Sequence, residues 1–120
     1  ILEELENFIH PKLTTLRKEL IKKSFLCNVK RVVFEVPLLF EKNIDKEFDV
    51  IVTTTCNRLL QKRRFMSREN STNKKLIAID KNFLKDNERF KRSHFIINTG
   101  IGKNYSMKCV KMIISGTWEK

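Results

Sequence analysis

The sequence predicts an α/β fold in which helices flank a parallel sheet. Three short runs are apolar almost without interruption and rich in β-branched and aromatic residues, as strands covered on both faces are. The segments before and between them carry apolar residues at helical spacing instead, and strands that alternate with helices favour a parallel sheet. The three predicted strands are residues 31–36, 48–53 and 94–98.

Length and composition indicate one small domain over residues 1–120. The chain has 120 residues, of which 41% are hydrophobic, which is enough to build a core and too apolar for a disordered chain. No apolar run approaches the roughly 18 residues that a membrane span requires. The three cysteines form no Cys-x-x-Cys pair, which argues against a disulfide scaffold or a zinc site. We therefore expect a cytoplasmic protein with no membrane segment and no metal site of its own.

Apolar spacing places the first helices before the first strand. The pattern from Leu2 to Ile9 is helical, and Pro11 is expected to break it and to open a second helix that continues through Phe25. Together these helices form a predicted helical region over residues 1–28.

Capping residues place further helices between and after the last two strands. Asn57 is expected to cap a helix that reaches about Arg68, and Ser71 or Thr72 to cap another that continues through Leu84. Both fall in a predicted helical region over residues 57–92. A last helix is expected to begin at Ser106.

Cationic side chains are concentrated in the second half of the chain. Residues 1–60 contain ten basic and nine acidic side chains, whereas residues 61–120 contain fifteen and five. Such a field attracts anions, for example nucleotides or nucleic acid, although a solvated basic face is the simpler alternative. The densest group, called the basic cluster below, comprises Arg58, Lys62, Arg63, Arg64, Arg68, Lys74 and Lys75.

Three features follow the predicted strands, at the edge where open parallel sheets bind ligands. The first is Pro37-Leu38-Leu39-Phe40-Glu41, called the hook below, whose apolar side chains must cover either a neighbouring helix or an apolar ligand. The second is the pair Arg64 and Arg68, whose spacing on a helix suits a bridging phosphate or an exposed face. The third is Asn98, which serves the turn before Gly100 or contacts a nucleotide.

The chain offers no catalytic constellation. It has no glycine-rich phosphate loop, because Gly100-Ile101-Gly102-Lys103 lacks the spacing and the Ser/Thr of a Walker motif. Neither His10 nor His94 has an acidic or cysteine partner at ligand spacing. The residues therefore support anion binding better than catalysis, and the catalytic residues stay unassigned.

Taken in chain order, these motifs resemble the dephospho-coenzyme A kinase family, and the resemblance extends over nearly all 120 residues. Pro-Leu-Leu-Phe-Glu followed by Phe-Asp and by Gln-x-x-Arg-x-x-x-Arg is specific in combination. The matching segments are Leu2-Glu3 through His10-Pro11, the hook, Phe48-Asp49-Val50-Ile51-Val52, Gln61-x-x-Arg64-x-x-x-Arg68 and Asn98-x-Gly100.

The resemblance implies a P-loop kinase fold. It also implies an enzyme that uses ATP and Mg²⁺ to transfer phosphate to the 3′-hydroxyl of dephospho-coenzyme A. It implies a substrate-binding helical region over residues 1–28 and a lid over residues 57–92. Arg64 and Arg68 would face the ATP phosphates, and Asn98 would contact nucleotide. The implied substrate-binding residues are His10, Glu35, Pro37, Leu38 and Leu39.

The chain departs from the family in one major respect: it has no counterpart of the family's first strand and phosphate loop, which supply the Mg²⁺ ligand. We therefore expect an incomplete kinase fold that is inactive alone, with a separate chain possible as the source of the loop. A small basic nucleic-acid-binding protein is the alternative, although the basic cluster contains only one aromatic residue, Phe65. A third interpretation is an interaction fragment whose open sheet edge pairs with another subunit.

Overall fold

The computed structural model describes residues 1–117, with the backbone alone at Asn82. The described chain divides into two compact units, Ile1–Val36 and a second that begins at Pro37. The fold class is the predicted one, because the structure is α/β with a small parallel sheet and flanking helices. No helix within residues 1–117 is both long and apolar enough to cross a membrane.

The first unit contains one long helix, α1, at Leu2–Leu26. Pro11 lies inside it, so the predicted break at Pro11 is wrong. Proline lacks one backbone donor and costs a helix interior about 3 kcal/mol, but the turns on either side keep their hydrogen bonds over 25 residues. α1 therefore covers nearly all of the predicted region 1–28 without interruption.

Residues 31–36 are not a strand, and that prediction is wrong. An apolar, β-branched run forms a strand only when a neighbouring segment satisfies its backbone groups. No segment of the described chain forms a ladder with these residues.

The second unit is built around a two-stranded parallel sheet. Val52 pairs with Phe95 at one end of the ladder and Thr55 pairs with Asn98 at the other. The last predicted strand is thereby confirmed. The predicted strand 48–53 is shifted towards the carboxyl terminus, because only residues from Val52 to Thr55 pair with the neighbouring strand. The elements in chain order are a 3₁₀ turn at Asp45–Glu47, β1 at Val52–Thr55, α2 at Arg58–Met66, α3 at Asn73–Asn82, α4 at Asp86–Lys91, β2 at Phe95–Asn98 and α5 at Lys103–Ser115.

Capping residues set the starts of α2 and α3 as predicted. The Asn57 side chain accepts a hydrogen bond from the Leu59 N–H at 2.8 Å, and Thr72 accepts one from the Lys75 N–H at 3.2 Å. α3 ends at Asn82, before the expected Leu84. α5 begins directly after Gly102, whose φ of 145° only glycine adopts readily, and so it starts three residues before the predicted Ser106.

The buried apolar residues of the second unit come from the hook, the loop between the hook and β1, β2 and two helices. β-branched and aromatic side chains supply most of this small core, as burial against a sheet favours. Its members are Phe40, Ile44, Ile51, Leu76, Ile97 and Cys109.

Candidate functional site

The carboxyl ends of the two strands lie side by side and form an exposed polar edge. The Thr99 N–H donates to the Thr55 carbonyl at 2.8 Å, and the Thr99 hydroxyl donates to the same oxygen at 3.2 Å. We call Thr55–Asn57 and Asn98–Gly100 the carboxyl edge. Parallel sheets present ligand sites at this end, where loops and helix N-termini meet.

Arg64 reaches the carboxyl edge from α2. Its Nη1 donates to the Thr99 hydroxyl at 2.9 Å and its Nη2 donates to the Thr99 carbonyl at 3.2 Å. A guanidinium carries five N–H donors, so donors remain for a ligand. The structure therefore brings together two of the three predicted features, the α2 arginine and the exit of the last strand.

Arg68 does not share a helix face with Arg64, and that part of the prediction is wrong. α2 ends at Met66, and the Arg68 N–H donates to the Phe65 carbonyl at 3.1 Å in the turn that follows. The Ser67 hydroxyl donates to the Arg64 carbonyl at 2.7 Å, and such local side-chain bonds compete with helix continuation. The role of both arginines towards phosphate stays a prediction.

Asn98 shapes the turn out of β2. Its Oδ1 accepts the Gly100 N–H at 2.9 Å. A Cβ atom added at Gly100 would lie 3.1 Å from that same oxygen and 3.3 Å from Leu60 Cδ2, so the turn favours glycine. The structure supports the turn role of Asn98, and its contact with a nucleotide stays a prediction.

Arg58 links α2 to α3, a contact that the sequence analysis missed. Its guanidinium binds both carboxylate oxygens of Asp80, and its Nη1 also donates to Gln61 Oε1 at 2.9 Å. The hydrogen bond to Asp80 raises the pKa of Arg58 above its ordinary value. Asp80 lies 22 residues away in the chain, so no local pattern could have indicated this pair.

The remaining basic cluster is largely unneutralised. Lys75 Nζ donates to the Asn70 carbonyl at 2.6 Å, and α2 contains no acidic side chain. An anion approaching α2 therefore meets several cations that attract it. The members that form no side-chain hydrogen bond or ion pair within residues 1–117 are Lys62, Arg63, Arg68 and Lys74.

The hook packs against the chain segment that precedes β2. Phe40 is 5% exposed, and the Arg92 guanidinium lies over its ring at 4.9 Å. Glu41 Oε1 accepts the Leu84 N–H at 2.7 Å. These contacts support the packing alternative, and they correct the expectation that the hook joins Arg64 at the carboxyl edge, because they involve residues before β2.

The other predicted substrate residues are divided between the two units. His10 and Glu35 are exposed in the first unit, while Pro37 is exposed in the second and Leu38 and Leu39 are half-buried there. Their shared role in binding a substrate stays a prediction.

His94 joins the two chain segments that lead into β1 and β2. Its ring Nδ1 accepts the Ile51 N–H at 2.9 Å, and its backbone N–H donates to the Ile51 carbonyl at 2.9 Å. The ring therefore serves the fold in this structure.

No group of three or more His, Cys, Asp or Glu side chains in the described part of the chain is arranged to hold a metal ion. All three cysteines are free thiols, at Cys27, Cys56 and Cys109.

Comparison with known proteins identifies one family. A family model described as dephospho-CoA kinase matches residues 1–103. The chain is 37% identical over 99 residues to a dephospho-CoA kinase of Bartonella quintana, which covers 82% of this chain and 51% of that protein. It is 33% identical over 101 residues to a dephospho-CoA kinase of Nitrobacter winogradskyi, with coverages of 84% and 51%. A relative from Rhizobium meliloti with the same name is 28% identical over 113 residues. The chain spans about half the length of the curated relatives that it matches.

Proposed function

Because the chain belongs to the dephospho-CoA kinase family, we propose that it forms the lid and substrate-binding portion of an enzyme that phosphorylates the 3′-hydroxyl of dephospho-CoA with ATP. The observation that carries the proposal beyond the family match is the attachment of Arg64 to Thr99 at the carboxyl edge. That attachment fixes a cation at the edge where parallel sheets bind nucleotides.

Arg64 acts on the transferred phosphate by charge and by orientation. Phosphoryl transfer requires little covalent chemistry from the protein, so catalysis rests on positioning and on charge stabilisation. The two bonds to Thr99 preorganise the guanidinium, which lowers the cost of aiming it at an anion. Arg68 supplies a second cation from the turn after α2. Asn98 contacts the nucleotide while its Oδ1 keeps the turn in place.

The substrate side of the proposal uses the remaining predicted residues. His10 and Glu35 offer polar groups for hydroxyl or phosphate oxygens of dephospho-CoA, and Pro37, Leu38 and Leu39 offer apolar surface. Leu38 and Leu39 keep part of their side chains exposed while Phe40 anchors the hook. An anchored apolar turn with exposed members can contact a ligand without rearranging.

The phosphate loop and the Mg²⁺ ligands are assigned to no residue of this chain. The 120 residues contain no Gly-x-x-x-x-Gly-Lys-Ser/Thr sequence, and the residues that the structure describes hold no cluster fit for a metal ion. We propose that sequence outside these residues, in a separate chain or in the same one, supplies the loop and binds Mg²⁺ with ATP. These 120 residues alone are then inactive.

The same proposal places the protein in the cytoplasm, where a kinase that uses ATP meets its substrate. The three free thiols support a reducing compartment, because such compartments keep cysteines unpaired.

The proposal is tested with a chimeric kinase, in which the part of this chain that matches the Bartonella quintana dephospho-CoA kinase over 99 residues replaces the corresponding segment of that enzyme. ATP-dependent formation of coenzyme A is measured for the chimeric kinase, for the parent enzyme and for the 120-residue chain alone. We expect activity in the first two and none in the third. A folded chimeric kinase without activity contradicts the kinase function, and activity of the chain alone contradicts its dependence on other sequence.

Nucleic-acid binding is the competing function for the basic cluster. Single-stranded binders stack bases on aromatic side chains, but Phe65 is half-buried, and Arg58 and Arg64 are already engaged with protein groups. Retention of an oligonucleotide that weakens steeply as salt rises would favour this function. Absence of retention at low salt, together with kinase activity of the chimeric kinase, would exclude it.

A further inference from the structure

The hook holds a backbone conformation that its own sequence disfavours. Leu38 has a φ of 56°, in the left-handed region. The other non-glycine residues with positive φ in the described chain are Asn28, Asn43 and Asn70, and asparagine tolerates this region because its short polar side chain bonds locally. A branched apolar residue has no such compensation, so contacts from elsewhere in the fold must hold Leu38 in place.

Residues 84–92 provide such contacts to Phe40, Glu41 and Asp45, which follow Leu38 in the chain. Arg92 Nη2 and Nε donate to the two oxygens of Asp45 at 2.6 and 3.3 Å, while its Nη1 lies 3.5 Å from the Phe40 carbonyl and its guanidinium covers the Phe40 ring. The Asp45 side chain is 13% exposed and the Arg92 side chain 32%, so the carboxylate is largely shielded from water while the arginine stays partly exposed. The Leu84 N–H also donates to Glu41 Oε1 at 2.7 Å, which attaches the end of the hook to the same segment.

We propose that Arg92 is a positioning residue for dephospho-CoA: it acts through Phe40 and Asp45 to keep the hook in the conformation that binds this substrate. Arg92 belongs to the region assigned to the lid, and in this proposal it acts without contacting ATP or dephospho-CoA. The inference rests on the proposed function, because only a substrate-binding hook gives Arg92 this role.

The physical reason for an effect on the substrate is conformational. When the arginine is removed, the strained turn at Leu38 relaxes and only a fraction of molecules keeps the binding conformation. The apparent affinity falls by that fraction, so a decrease of the competent population to about one tenth raises the apparent dissociation constant about tenfold. ATP binding and the chemical step are unaffected once the substrate is bound.

The test compares Arg92→Ala and Asp45→Asn with a matched control, Arg89→Ala, in the chimeric kinase. Arg89 lies on α4, the short helix that ends just before Arg92. Its side chain forms an ion pair with Asp86 within that helix, at 3.2 Å, and not with Asp45. We expect Arg92→Ala to raise KM for dephospho-CoA about tenfold while kcat and KM for ATP stay within about twofold. Arg92→Lys should restore only part of the affinity, because a point charge cannot bind both Asp45 oxygens, and Arg89→Ala should change none of these constants.

Amide hydrogen exchange supplies a readout that does not depend on activity. The N–H groups of Lys42, Asn43 and Ile44 donate to the carbonyls of Leu38, Phe40 and Leu39, so their exchange reports directly on the hook. We expect faster exchange there in Arg92→Ala than in the unsubstituted chimeric kinase or in Arg89→Ala.

Each outcome decides one part of the proposal. Unchanged exchange and unchanged KM in Arg92→Ala overturn it. Faster exchange with unchanged KM for dephospho-CoA also overturns it, because Arg92 would then hold the hook for stability alone. If Arg92→Ala does not fold, Asp45→Asn and Arg92→Lys decide by the same criteria. An inactive unsubstituted chimeric kinase overturns the proposed function instead, while the exchange data still show whether Arg92 holds the hook.

Discussion

The two ends of the same parallel ladder are built in opposite ways. At the amino edge, residues 92–94 meet Phe40, Ile51 and Thr53, and polar groups pair with one another in partly buried surroundings. The Ile51 carbonyl accepts N–H groups of both His94 and Phe95, and the buried Thr53 hydroxyl bonds to Ser93. At the carboxyl edge, Arg64 and Thr99 bond to each other near the surface, and the neighbouring Lys62 and Arg63 form no side-chain hydrogen bond or ion pair within residues 1–117.

This difference separates stability from binding within one small sheet. Buried, satisfied groups resist local opening, whereas exposed edges with spare donors are drawn from the less stable part of a fold and carry ligand sites. We therefore expect substitutions at the amino edge to lower the free energy of unfolding, and substitutions at the carboxyl edge to lower activity.

Phe40→Ala tests the amino edge most severely. Phe40 is 5% exposed, so its truncation should lower the free energy of unfolding by about 3–5 kcal/mol through lost burial and a cavity. The measurement is urea unfolding of the chimeric kinase. Leu59→Ala is the matched control near the carboxyl edge, because Leu59 is 78% exposed and should change stability by less than about 0.5 kcal/mol. Equal losses for the two variants would contradict the division.

Arg64→Ala tests the carboxyl edge. Loss of a charge-assisted contact with phosphate of about 1.5–3 kcal/mol should lower kcat/KM of the chimeric kinase about ten- to hundred-fold. Arg68→Ala should act in the same direction, and Arg64→Lys should recover only part of the loss, because lysine cannot reproduce the guanidinium fork. KM for dephospho-CoA should change little. If the double variant, Arg64→Ala with Arg68→Ala, were as active as the unsubstituted chimeric kinase, both arginines would belong to a solvated face.

His94→Ala should lower the free energy of unfolding by less than Phe40→Ala. The substitution leaves the N–H of buried Ile51 without its acceptor, and an unsatisfied buried donor costs about 1–3 kcal/mol. Urea unfolding should show this loss, while KM for ATP and for dephospho-CoA stays constant. A change in either KM without a change in stability would assign His94 to the binding machinery instead.

Local sequence patterns predicted the elements whose stabilising contacts are close in the chain. The Asn57 cap bonds to an N–H two residues away and the Thr72 cap to one three residues away, so the starts of α2 and α3 were predicted correctly. The last strand was also predicted correctly from its apolar, β-branched composition, although its ladder partner β1 is distant in the chain. Two of the wrong predictions depended on a distant partner and on competition at a helix end. Residues 31–36 have strand-forming composition but no partner in the described chain, and the turn at Ser67 ends α2 before Arg68.

The candidate site was predicted as a set of residues rather than as an arrangement. Arg64 and Asn98 were assigned to one ligand-binding edge, and both lie there. No sequence pattern indicated the contact of Arg58 with Asp80 or the contacts of Arg92, because each of these is an ordinary charged residue on a predicted helix or beside one. The hook was expected at the same edge, and its contacts lie before β2 instead.

The sequence by itself determined the α/β class, the caps of α2 and α3, the concentration of positive charge in the second half and the family resemblance. Each of these depends on residue type and on spacings of a few residues, which local backbone preference and burial periodicity govern. Only the tertiary structure decided which charges meet: Arg64 with Thr99 across 35 residues, Arg58 with Asp80 across 22 and Arg92 with Asp45 across 47. Such contacts form only after the sheet and helices have closed the intervening chain, so their energy depends on the whole fold and leaves no local pattern.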